Sequence, residues 1–154
     1  MLTIIGCGNP NRGDDGAGVA VVQHLMQALG GTAPAGVRLF DAGTNGLAVM
    51  FEARGASNLV LVDASATGAE PGAVHEVPGE RLENAPEPGH GLHGFRWDHA
   101  LYAGRRIYGR EFPERVTVYL IERQTLDLGI GLSEPVERAV KQVVGLLLAR
   151  VRSA

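Results

Sequence analysis

The sequence predicts an open, mostly parallel α/β sheet with helices on both faces and one antiparallel strand, folded as a single domain over residues 1–154. Three observations carry this. Short apolar runs rich in β-branched residues recur along the chain, the first three end at a glycine or an aspartate, and segments of helical periodicity separate most of the runs. Strands alternating with helices build parallel sheets, because each crossover returns the chain to the same edge direction.

The elements follow in order. Leu2 to Cys7 is a buried strand ended by Gly8, and after a polar loop Val19, Val22, Met26 and Leu29 recur at helical spacing until Gly30-Gly31 stops them. Val37 to Phe40 reads as a strand ending at Asp41, and Gly43-Thr44-Asn45-Gly46 leads into a helix over Leu47 to Ala53. Asn58 to Val62 is a third strand, ending at Asp63, and Ala73 to Val77 a short extra one. Pro78 to Leu92 is rich in Pro, Gly and Glu and reads as a surface loop, followed by a helix from about Gly94 to Arg105. Val116 to Ile121 is the last strand. Ser133-Glu134-Pro135 starts the closing helix, with Ser133 as N-cap and Val136, Val140, Val143, Leu147 and Val151 as its apolar stripe.

Composition narrows the function. With 14 basic and 17 acidic residues and no run of either sign, the chain has no electrostatic footprint for nucleic acid. No apolar run approaches the ~18 residues of a membrane span, and the N-terminus lacks a basic, then apolar, leader pattern, so the expected location is the cytoplasm. The single cysteine, Cys7, excludes an intrachain disulfide and a thiolate-rich metal site.

Ligands of open α/β sheets sit beyond the carboxyl ends of the strands, and Asp14, Asp15, Asp41 and Asp63 all follow strands. The loop GNPNRGDDG (Gly8–Gly16) has the glycine spacing of a phosphate loop, but Asp14 and Asp15 stand where lysine and a hydroxyl residue belong. Its sign is inverted, so its natural guest is a cation or a hydrogen-bond donor. Asp14 reads equally as an N-cap; Asp15 is less easily explained that way, since one cap needs one carboxylate. Asp63 alone reads as a turn residue. If the first and third strands are neighbours, however, Asp15 and Asp63 open onto one crevice.

Of the histidines, His24 and His75 fit a helix face and a strand alternation, whereas His90 and His93 lie in PGHGLHGF, where a loop becomes a helix. Spacing does not choose between those two. Two carboxylates and an imidazole make an oxygen/nitrogen site suited to nickel or zinc, with coordination positions left open. Gly-x-Ser-x-Gly is absent, and Cys7 reads as a small core residue.

Taken in order, GCGNPNRGDDGAGVAVV, DAGTNGL, LVLVDAS, HGF and GIGLS resemble the pattern of hydrogenase maturation proteases, over about Ile4 to Val151. The resemblance implies a three-layer αβα fold of the phosphorylase/hydrolase-like kind and an aspartic-type endopeptidase. It implies removal of a C-terminal extension from a [NiFe]-hydrogenase large-subunit precursor after nickel insertion. It assigns metal contact to Asp15, Asp63 and His93, and substrate positioning to Asp41, Gly43 and Thr44, although a tight turn explains the last group equally well. The carboxylates at the strand ends make Asp15 and Asp63 the candidate catalytic groups, either orienting or deprotonating a water or holding a metal ion that polarises the carbonyl. The nickel belongs to the precursor, no permanent cofactor is expected, and the expected state is a monomer.

The chain departs from the pattern at Arg123-Gln124-Thr125, where relatives commonly show Pro-Glu-Ser, and in the polar run Arg96-Trp97-Asp98-His99. From Thr67 to Leu92 no family motif is matched. Two further readings fit the same residues: a nickel-binding accessory protein that docks without cutting, and a small hydrolase holding its own divalent ion.

Overall fold

The computed structural model describes residues 1–89, 94–124 and 129–154. β1 (Leu2–Cys7) is buried at every position, as its unbroken apolar run requires. It lies between β2 (Val37–Gly43) and β3 (Asn58–Ser65), parallel to both. β3 pairs in parallel with β5 (Arg115–Glu122), and β4 (Val74–Pro78) closes the far edge antiparallel to β5. The order is β2-β1-β3-β5-β4. Strand order therefore reverses between β1 and β3, which places the crevice at their carboxyl ends.

Alternation along the strands separates two apolar layers. Leu2, Ile4, Val60, Val62 and Ile121 face α1 (Ala17–Ala28) and α4 (Glu134–Arg152). Ile5, Leu59, Leu61 and Val118 face α2 (Gly46–Ala53) and α3 (Trp97–Tyr108). Helices on both faces and a single antiparallel pairing are what the sequence predicts. On the first face α1 approaches closely: a methyl group on Gly18 would run into the backbone oxygens of Val62 and Cys7.

Several boundaries move, for physical reasons. β2 runs on to Gly43 because the ladder resumes after an irregularity beside Cys7, and Gly43 O accepts from Gly8 N at 2.8 Å. β3 runs on to Ser65, pairing Asp63 with Leu120 and Ser65 with Glu122. Asp63 thus sits within the strand, not past its end. α3 begins at Trp97 and ends at Tyr108, about three residues later than periodicity suggested; residue 96 is extended, and Gly109, with φ 54°, ends the helix.

The loop after β1 also differs from its simplest reading. Asp14 caps no helix. It is fully buried, and its carboxylate accepts from Ser133 N (2.7 Å), Ser133 Oγ (2.8 Å) and Gln124 N (2.8 Å). Ser133 does precede α4, but its hydroxyl serves Asp14 instead of the helix. A buried carboxylate is tolerated only when hydrogen-bonded in this way, and here it joins the first loop to the start of the last helix. No helix among the described residues is long and apolar enough to cross a membrane.

Candidate active site at the carboxyl ends of β1 and β3

Asp15 lies in a 3₁₀ turn, Gly13–Gly16, that links β1 to α1. Its Oδ2 accepts from Asn9 N at 2.8 Å, which folds the loop back on itself, and Asn9 Oδ1 accepts from Asn11 N at 2.9 Å. Gly8 makes the turn out of β1 with φ 124°, a conformation that suits glycine. A side chain there would strike the Asp15 carbonyl and come within 3.2 Å of Asp63 Oδ1. The Asp15 loop and the Asp63 carboxylate therefore meet across Gly8.

Asp63 is held by two donors: Ala64 N to Oδ1 and Trp97 Nε1 to Oδ2, both at 2.8 Å. Burial pushes its pKa up to about 7. The bonds from Trp97 and Ala64 pull the other way, the charge of Asp15 adds to the rise, and Arg96 opposes it. The two carboxylates thus have unequal surroundings, the arrangement that separates acid from base roles.

Both line a cleft of about 560 Å³ together with Gly43, Thr44, Trp97 and Arg123. Asp41 does not line it; Asp41 Oδ1 accepts from Gly43 N at 2.9 Å, so this side chain shapes the turn that presents Gly43 and Thr44. His93 lies outside the described residues, as does His90. Among the described residues no group of three His, Cys, Asp or Glu side chains is arranged to hold a metal ion.

A family model for hydrogenase maturation proteases matches residues 19–150. The hydrogenase expression/formation protein HupM of Azotobacter chroococcum is 31% identical over 153 residues, covering 96% of this chain and 70% of HupM. The chain belongs to the hydrogenase maturation protease family. The hydrogenase 2 maturation protease of Escherichia coli is 26% identical, covering 99% of this chain and 92% of its own length. The hydrogenase maturating endopeptidase HybD of E. coli shares the fold, with a TM-score of 0.79 at 24% identity over 99% of this chain and 93% of HybD. The chain is accordingly a peptidase.

Sequence reasoning missed several residues of this maturation protease. In the sequence Trp97 is only part of a polar run, yet its indole is one of the two donors that fix Asp63. A lone Trp at a helix start beside a crevice was the available signal. Glu122, which nothing in the sequence marks at the end of an apolar strand, is 3% exposed and accepts from Ser65 Oγ, Thr67 N, Thr67 Oγ1 and Gly68 N. Burial raises its pKa, but these bonds outweigh burial and the net shift is downward. Cys7 is buried, and burial, then Asp63 and Asp41, push its thiol well up, so it is no thiolate nucleophile.

Two results follow at these positions. Trp97→Phe removes a donor that favours the ionised Asp63, so the acidic limb of kcat/KM against pH should move to higher pH; an unmoved limb would show that Asp63 does not govern it. Glu122→Gln should lower Tm by about 5 °C at pH 7, since one amide cannot accept all four bonds. Because its folded pKa is depressed, Glu122 stabilises the fold above the ordinary carboxylate range and loses that effect as pH falls through its folded value. The Tm gap between wild type and variant should therefore narrow in acid.

Proposed function

We propose that the protein removes the C-terminal extension of a [NiFe]-hydrogenase large-subunit precursor after nickel insertion, reading the substrate's nickel as the signal to cut. One observation supports this above the others: a carboxylate from the loop after β1 and one from the neighbouring parallel strand β3 reach one cleft, and the second has a pKa of about 7. A base of that strength is matched to work near neutrality.

In this reading Asp15, Asp63 and His93 contact the nickel held by the precursor. Asp15, on the loop that folds back over Gly8, carries the charge that faces the metal. Asp63 takes a proton from a water molecule as the water oxygen attacks the scissile carbonyl, then returns it to the leaving amide nitrogen. Peptide and water are consumed, and two peptides with a new carboxylate and a new amine result. Gly43 and Thr44 position the peptide from the β2–α2 turn that Asp41 braces.

The test is the intact mass of a candidate large-subunit precursor after incubation with the protein, with and without nickel in the precursor, alongside His93→Ala. The extension should be lost only when nickel is present and His93 intact. Docking without any mass change on a nickel-loaded cognate precursor would favour a non-cleaving accessory protein. A stoichiometric ion in protein purified without added metal would favour a hydrolase with its own metal.

A further inference from the structure

Arg123 follows the carboxyl end of β5 on a rigid mount. Glu122 before it is locked by its bonds to Ser65, Thr67 and Gly68. The Arg123 N–H itself donates to Ser65 O at 2.9 Å, and Gln124 N after it donates to the buried Asp14 carboxylate. Three successive residues are thus tied to two different parts of the fold, the end of β3 with the residues after it and the loop after β1, and the middle one lines the cleft, half-buried.

Among the described residues its charge meets no acidic partner. Arg38, Arg54, Arg105 and Arg138 each pair with a glutamate, and Arg96, the other arginine lining the cleft, lies 3.6 Å from Asp98. Arg123 makes no ion pair among the described residues. The cleft's own acids do not serve it: Asp15 is held by Asn9, and Asp63 by Trp97 and Ala64. A guanidinium partly withdrawn from water and left without a carboxylate gains strongly from an anion that a ligand brings.

We infer that Arg123 is a specificity-determining residue that binds a carboxylate of the precursor's extension, either an Asp or Glu side chain or the terminal carboxylate. This rests on the cleft being the processing site proposed above. The fixed backbone on both sides makes the guanidinium a gauge of where the extension ends or where its acid lies, relative to Asp15 and Asp63.

The experiment compares wild type, Arg123→Gln and Arg123→Lys on nickel-loaded precursor in three forms: native, with the extension's acidic residues replaced by their amides, and with a C-terminal carboxamide installed by ligation. On the native form Arg123→Gln should raise KM roughly 10- to 100-fold, with a far smaller fall in kcat, and Arg123→Lys should recover part of the loss. One of the two altered substrates should raise KM for wild type to the same level and leave Arg123→Gln no worse; that arm identifies the carboxylate. A KM for Arg123→Gln within twofold of wild type, or losses that multiply with both altered substrates, would overturn the inference.

Fluorescein-labelled peptides of the same three extensions, followed by anisotropy, separate this from the processing reading. If wild type cuts no precursor yet binds these peptides through Arg123, the carboxylate site stands and the processing reading falls. If binding is the same in wild type and Arg123→Gln, the carboxylate site falls whatever the precursor does.

Discussion

Asp63→Asn is expected to lower precursor cleavage by about a thousandfold while removing a pH-dependent instability from the fold. The loss of rate follows from the role proposed for Asp63, since an amide cannot take the proton of the attacking water. The gain follows from burial. The folded carboxyl has a pKa of about 7 against an ordinary value of 3.8. Below that ordinary value both folded and unfolded chains hold the proton. As pH rises toward 7 the unfolded chain releases it first, so stability falls across this window and stays lower above it.

The whole displacement is equivalent to about 4 kcal/mol, and the solvent contact that Asp63 retains at the cleft brings the expected effect to about 1–2 kcal/mol. Asparagine cannot accept from both Trp97 and Ala64, which sets a constant offset between variant and wild type. The pH dependence is unaffected by that offset. Urea unfolding of the metal-free proteins at pH 4.5 and pH 8 should therefore show the variant gaining about 1–2 kcal/mol on wild type between the two. A constant difference would mean that Asp63 is not held protonated by the fold. Asp15→Asn added to Asp63→Asn should leave no cleavage, and cleavage retained in the double variant would remove both carboxylates from the chemistry.

Gly18→Ala is expected to cost more than about 3 kcal/mol and to abolish most soluble protein, although it adds a single methyl group. The added Cβ would meet the carbonyl oxygens of Val62 and Cys7, which are backbone and cannot rotate away. Relief requires α1 to lift from the sheet, which would open the layer around Val21 and Leu25 and draw the Asp15 loop away from Asp63. Gly30→Ala is the contrast. Gly30 has φ 76° with nothing within 4 Å of a new methyl group, so it should cost only about 1 kcal/mol. Urea midpoints measure both, and equal midpoints for the two variants would refute the close-approach argument.

Much of this was legible in the chain. The apolar runs of β1, β3 and β5 needed no context, because a strand covered on both faces must be apolar throughout. The inverted charge of the Gly8–Gly16 loop marked Asp15, and the motif resemblance marked Asp63 and the family. The role of Asp14 was not legible, since its partners Gln124 and Ser133 lie 110 and 119 residues away. Local rules could offer it only a helix cap. Trp97 and Glu122 were hidden for the same reason, as each acts on a residue more than 30 positions distant.

By itself the sequence determined the alternation of strands and helices, the two-sided burial of the sheet, and the acidic character of the loop after β1. These depend on periodicity and residue type, which are local properties. The tertiary structure decided that β1 and β3 are neighbours and that Asp15 and Asp63 therefore share a cleft. It also raised Asp63 toward neutrality by burial, and it left Arg123 lining the same cleft without an ion pair among the described residues. Proximity and desolvation arise only when distant segments pack, so no reading of neighbours along the chain supplies them.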